Sequence, residues 1–390
     1  MAEQIPAFDF DPFSDESLTD PYGYYRTLRD AGPVFSLPRY DVLGIARFDD
    51  VRAGLKDWQH FSSTEGPGFN ARHNEKMRGT VVASDPPEHD VARTVMIKRL
   101  RLGRLREVEP LADKIAAELL DDCLGRDSFD AASDLARPFV TRFTGAVLGV
   151  PLPVLDQCVE GSVAGFNNVG PLNERAVAAG PVIEQAFEVM HSLTKADMTP
   201  GSIGWDVLDA HDRGEIPKLS SFTLLFNFLG PAFDTTINAI GSIVWLLAGH
   251  PGQWQALRAS PGLVPAAVNE GLRIESPLQI WSRTARGDLS VDGVTVPSGR
   301  RIAVFLGAAN RDERHYQRPD DFEITRNPVD HLSFGNGLHM CVGAPLARLE
   351  ISSVLRALLD RVRTLEPAGQ PVLRLNNTTR GFASAPVRAG

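Results

Sequence analysis

The residues best able to do chemistry lie together in Phe334-Gly335-Asn336-Gly337-Leu338-His339-Met340-Cys341-Val342-Gly343. The glycines permit backbone turns that a side chain forbids, and let a flat ligand lie close to the chain. Ala347, Ile351, Val354, Leu355 and Leu358 recur at helical spacing, which predicts a helix directly after Cys341. A cysteine in front of a helix meets free backbone N–H groups and the positive dipole end, and both favour thiolate over thiol. A thiolate donated to haem iron pushes electron density toward a distal ligand and promotes O–O cleavage. A lone cysteine is more often a buried free thiol. The specificity lies in the joint spacing of Phe334, Gly335, His339, Cys341 and Gly343.

A second constellation is Gly230-Pro231-Ala232-Phe233-Asp234-Thr235-Thr236, inside an otherwise apolar stretch. Asp and Thr are poor residues for a helix interior, because their side chains compete for backbone hydrogen bonds. Splitting dioxygen needs protons delivered inside a dry pocket, and a hydroxyl with a neighbouring carboxylate can supply them. Pro231 has no N–H for the carbonyl of Asn227, so a fixed kink is expected here.

The elements that must position these groups are mostly helical, with strand pairs near both ends. Ser220 to Gly249 reads as one long apolar helix through the interior, stopped by Gly249-His250-Pro251. Helices are also expected from Pro86 to about Leu100, from Val108 to Leu124 and from Pro265 to Ile274. Val34 to Phe48 reads as a hairpin, and Leu289 to Val304 as short strands around Asp292-Gly293 and Ser298-Gly299. With no repeat and no linker-like break, residues 1–390 are expected to form a single domain. The fold class is mainly α with small β-sheets (α+β).

Composition fits this picture. At 390 residues with 43% hydrophobic and 23% charged side chains, the chain is ordinary for a globular protein. A net charge of −9 argues against nucleic acid as partner. No signal peptide is read at the start, and no run approaches the ~20 apolar residues of a membrane span. Three scattered cysteines, Cys123, Cys158 and Cys341, make no disulfide framework. A cytoplasmic protein is expected.

With these residues in view, the chain resembles a soluble bacterial cytochrome P450 over essentially its whole length. The resemblance implies the haem-thiolate fold, with heme b held by Cys341 as metal ligand and the long helix above it. It implies propionate contacts from His89 and Arg93, which lie at i and i+4 on one helix face, and from Arg283 and His339. It implies Thr235 as the hydroxyl and Asp234 as the relay acid. It also implies a structural ion pair of Glu270 and Arg273 joined by Arg326. The family usually has Ala-Gly where this chain has Pro231-Ala232, a departure that bears on proton delivery.

Pocket candidates are Phe166, Val169, Phe226, Asn227, Pro231, Ala232, Phe233, Leu278, Ile280, Trp281 and Phe382. Segments 166–174, 309–312 and 376–381 resemble bacterial members that O-demethylate or hydroxylate para-substituted benzoates. Those members hold the carboxylate with serines and an arginine on the long helix, whereas this chain reads Phe226-Asn227-Phe228-Leu229-Gly230. Arg72, His73 or Arg78 could supply the charge instead, and a neutral phenol or methoxyarene is the competing substrate class. No flavin or nucleotide motif is present, so electrons are expected from a ferredoxin at a basic surface of Lys98, Arg99, Arg101, Arg104 and Arg106. The leading expectation is a ferredoxin-dependent monooxygenase acting on a small hydrophobic, aromatic substrate. The alternatives are a peroxygenase using hydrogen peroxide, oxidation of a terpenoid, a gas-sensing or gas-carrying haem protein, and a helical binding protein without haem.

Overall fold

The computed structural model describes residues 5–216 and 219–390. Its centre is the apolar stretch singled out above. Ser220 caps it, its side chain accepting the Thr223 N–H at 3.1 Å, and the stretch forms two helices rather than one. We label the helices that frame the site in chain order: α1 (Ala71–Lys76), α2 (Glu88–Arg99), α3 (Leu102–Leu124), α4 (Leu152–Val169) and α5 (Glu174–Ser192). The interior pair is α6 (Ser221–Ala232) and α7 (Asp234–Gly249), followed by α8 (Val264–Glu275) and α9 (Ala344–Arg361).

Helix α7 is predominantly apolar and accordingly buried, with Ile237, Ile240, Ile243, Val244 and Leu247 at 1% exposure or less. Between α6 and α7 stands Phe233, at φ −94° and ψ −64°. The expected kink at Pro231 is corrected: that residue stays within α6, and the interruption of helical geometry falls two residues later, at Phe233. The stretch Ser221–Gly249 is by length and composition apolar enough to cross a membrane, which corrects the sequence reading that no run approaches that length. The polar residues at the break had masked it, and 72% of its apolar window is buried inside the protein.

Helix α9 carries Ile351, Val354, Leu355 and Leu358 on one face, each at most 1% exposed, and packs against α3. Helix α3 begins at Leu102, earlier than its apolar spacing indicated, and runs through Pro110. The N-terminal hairpin is β1 (Phe35–Leu37) with β2 (Val42–Ile45), paired antiparallel. With β3 (Phe61–Ser62), β4 (Ile280–Ala285) and β5 (Arg301–Phe305) it forms a five-stranded sheet in the order β1-β2-β5-β4-β3. A C-terminal hairpin, β6 (Val372–Leu373) with β7 (Phe382–Ser384), returns against α7.

Candidate functional site

The cysteine loop closes on itself. The Cys341 N–H donates to the Phe334 carbonyl at 2.8 Å, and α9 starts three residues later. Gly335 and Gly337 take φ of +69° and +70°. A Cβ on Gly337 would stand 2.6 Å from the Leu55 carbonyl oxygen, so only glycine lets the loop pass that close. The Cys341 side chain is exposed to a cavity that the surrounding protein encloses. Burial raises its thiol above the ordinary range, against the pull of the Gly343 and Ala344 N–H groups and of Arg93 and Arg348. The helix start does favour thiolate as expected, but desolvation is the larger effect. Arg348, absent from the sequence reading, also lies 4.5 Å over the Phe334 ring.

Above this loop the protein gathers polar groups that find no protein partner. His89 is fully buried and its Nε2 makes no hydrogen bond, although Nδ1 lies 3.0 Å from Asp90. His339 has the same unpartnered Nε2, 3.8 Å from Asp85, and its ring packs 4.6 Å from that of His89. Burial lowers His339 to about 4. Arg283 is 4% exposed, and its guanidinium donates only to the Ser282 carbonyl. Burial lowers it to about 10, so it is still a cation at neutral pH, and among the described residues no carboxylate lies within ion-pair distance. A buried unpaired cation beside two unsatisfied imidazoles is costly unless an anion completes the set. Arg93 reaches across from α2 and donates to the Met340 carbonyl at 2.8 Å. These residues fit the propionates of a haem seated over Cys341.

The cavity measures about 320 Å³ and runs from the cysteine loop to the α4–α5 roof. Phe334, Gly335, Gly343, Arg93, Arg283 and His339 line its lower part. Phe166, Val169, Phe226, Asn227, Pro231, Ala232, Leu278 and Trp281 line the upper part, as expected. Three pocket assignments are corrected. Phe233, at the break between α6 and α7, is fully buried and outside the cavity. Ile280 neighbours Trp281 on β4, so strand alternation turns it to the opposite face, where it packs with Tyr25, Phe35 and Phe305. Phe382 lies behind α7, its ring 6.0 Å from Trp245 and outside the cavity. Asn227 has a second task, because its Oδ1 accepts the Val81 N–H at 3.1 Å.

The suggested carboxylate partners are also corrected. Arg72 on α1 and Arg78 just beyond it are exposed, and of the three only His73 lines the cavity. Burial lowers His73 to about 4, so it is neutral at physiological pH.

Thr235 lines the cavity, its hydroxyl donating to the Pro231 carbonyl at 3.1 Å. Asp234 is fully buried and faces the other way. Its carboxylate accepts from Thr379 Oγ1 at 2.8 Å, Asn238 Nδ2 at 3.1 Å and Arg374 Nη1 at 3.2 Å. Burial raises its pKa despite the Arg374 charge. Neither Arg374 nor Ser162 was read as functional, and their partners are set by chain crossings that no local pattern announces; Asn238 was missed too, although its i+4 spacing from Asp234 on α7 offered a local signal. Thr379 does sit in a segment singled out above, Asn376–Gly381.

Glu270 and Arg273 form the expected pair, at 2.7 Å with both side chains fully buried, and Arg326 joins at 3.1 Å. The basic run is more divided than its spacing indicated. Arg99 pairs with Asp206 at 3.4 Å and Arg104 with Glu107 at 3.6 Å, whereas Lys98, Arg101 and Arg106 are exposed. Met340, beside Cys341, is 49% exposed on the same side as α2.

The cytochrome P450 family model matches residues 209–389. The chain is 35% identical over 390 residues to cytochrome p450 CYP199A2 of Rhodopseudomonas palustris, covering 98% of this chain and 94% of that one. Among solved structures it is similar to P450BioI bound to an acyl carrier protein carrying hexadec-9Z-enoic acid, at TM-score 0.86 and 28% identity over 96% of this chain and 100% of that one. It is also similar to cytochrome P450 CREJ bound to (4-ethylphenyl) dihydrogen phosphate, at TM-score 0.85 and 26% identity over 98% and 99%. A cysteine-bearing loop under a cavity that asks for a buried anion, within this helical frame and with these relatives, leads to one conclusion: the chain belongs to the cytochrome P450 family of haem-thiolate monooxygenases.

Proposed function

We propose that this chain, acting as one catalytic domain over residues 1–390 in the cytoplasm, inserts one oxygen atom from O2 into a small uncharged aromatic substrate, by hydroxylation or O-dealkylation. Electrons come from a ferredoxin. Cys341 holds heme b from below, and His89, Arg93, Arg283 and His339 take its propionates. When bound, the haem supplies the redox chemistry that cleaves dioxygen. The chain's own side chains do the rest. Phe166, Val169, Phe226, Leu278 and Trp281 exclude water and hold the ring. Thr235 presents a hydroxyl to the cavity, and Asp234, its proton affinity raised by burial, stores a proton behind it. Arg374, 24% exposed, leads from Asp234 to solvent.

One observation carries the substrate reading: the upper cavity is apolar and its one basic side chain near α1, His73, is neutral. A carboxylate placed there would lose its hydration without gaining a cation. The similar structure holding a 4-ethylphenyl phosphate supports a para-substituted aryl class. The ferredoxin reading is supported by Lys98 and Arg101, exposed at and just after the end of α2, the helix whose Arg93 bonds to Met340. A screen of phenols and methoxyarenes against the matching aryl acids, read by the ferric haem absorption, tests the proposal. Neutral arenes should bind at least ~10-fold more tightly. Tighter binding of the acids would assign the benzoate class instead.

A further inference from the structure

We propose that Ser162 is a positioning residue: its hydroxyl replaces one backbone rung of the interior helix and ties the roof helix α4 to Asp234 and Thr235. Ser162 is 2% exposed. Its Oγ donates to the Gly230 carbonyl at 2.7 Å and accepts the Asp234 N–H at 3.3 Å. Residues 230 and 234 are i and i+4, the pair that bonds directly in an unbroken helix. The hydroxyl stands between donor and acceptor, and leaves neither buried group unsatisfied.

Pro231 does not account for this opening. Its missing N–H removes the bond to the carbonyl of residue 227, three rungs earlier, and leaves both the Gly230 carbonyl and the Asp234 N–H in place to bond. A side chain inserted into the ladder is a recognised cause of a sharp break, and here that side chain comes from a different helix. The next carbonyl, that of Pro231, takes the Thr235 hydroxyl. Two adjacent carbonyls at the break thus each accept from a side-chain hydroxyl, one from α4 and one from the cavity wall.

Helix α4 also lines the cavity through Gly161, Gly165, Phe166 and Val169. A substrate that moves α4 moves Ser162 with it, and the movement reaches the Asp234 amide through one hydroxyl. Occupancy of the pocket and the register of the proton-handling residues are mechanically linked. The inference rests on the reading of Thr235 and Asp234 as those residues.

The test compares Ser162→Ala, Ser162→Val and Ser162→Thr in the haem-loaded enzyme, since Val and Thr match in shape and differ in the hydroxyl. Amide hydrogen exchange at Asp234 should accelerate about 10-fold or more in Ala and Val and stay within about 3-fold of wild type in Thr. Product formed per reductant consumed should fall in Ala and Val, with peroxide released, and recover in Thr. Unchanged exchange in Ala and Val, or equal behaviour of Val and Thr, would overturn the proposal. Thr235→Ala is measured alongside. If it leaves coupling intact, the reading of Thr235 is lost, while the Asp234 exchange rates still decide the role of Ser162.

Discussion

Arg374 Nη1 lies 3.2 Å from the Asp234 carboxylate, which it approaches from a hairpin 140 residues further along the chain. Asp234 is fully buried, and Arg374 is its one cationic partner among the described residues. Arg374→Gln should therefore drive the carboxyl further toward its neutral form. We expect a loss of about 1–3 kcal/mol in denaturant unfolding, less than a broken buried pair costs in full, since the unpaired carboxylate can lower its desolvation cost by taking up a proton. Turnover should fall roughly 10-fold while substrate affinity is kept. Unaltered turnover would remove Asp234 from proton handling.

Cys341→Ser should abolish the thiolate signature in the reduced carbon-monoxide spectrum and the oxidising activity. The helical circular dichroism should persist, because the loop is closed by the bond from the 341 N–H to Phe334 and not by the sulfur. A serine variant that keeps pigment, spectrum and activity would refute the assignment of the iron ligand.

Glu350 on α9 is 2% exposed, accepts from Thr144 Oγ1 at 2.6 Å, and is pushed by burial to about 8. The folded state holds this proton more tightly than the unfolded chain does. Its contribution to stability is complete below the unfolded value, ~4.3, and is lost as pH rises toward 8. Wild type should lose stability relative to Glu350→Gln across that interval, by a few kcal/mol at most at ~1.4 kcal/mol per unit. Melting curves of the two proteins that stay parallel from pH 5 to 8 would contradict this.

Glu270→Ala leaves Arg273 fully buried with carbonyl partners only. Breaking such a pair costs about 3–5 kcal/mol. Arg326→Ala, at a partly exposed member, should cost about 1 kcal/mol. Denaturant titration reads both, and the ligand-induced haem spectrum of the folded fraction should not change in either.

Charge reversal at Lys98 and Arg101 should slow reduction by an acidic ferredoxin and flatten its salt dependence. Reversal at Arg99 should act mainly on stability, since that guanidinium is occupied by Asp206. Equal kinetics for Lys98→Glu with Arg101→Glu and for wild type would place docking on another face.

The sequence alone determined what local chemistry governs. Glycines at 335 and 337, a cysteine before a helix, and i and i+3 charges at Glu270 and Arg273 are all neighbour relations along the chain, and each took the expected form, whereas the apolar stretch broke at Phe233 and not at Pro231. Tertiary structure decided which face each side chain presents and which distant group meets it. It turned Ile280 and Phe382 away from the cavity, and brought Arg374 and Thr379 to Asp234 and Ser162 into the helix break. Those partners depend on where separate helices and hairpins cross. Crossings are set by packing of the whole core, a sum over many weak contacts that no short segment of sequence contains.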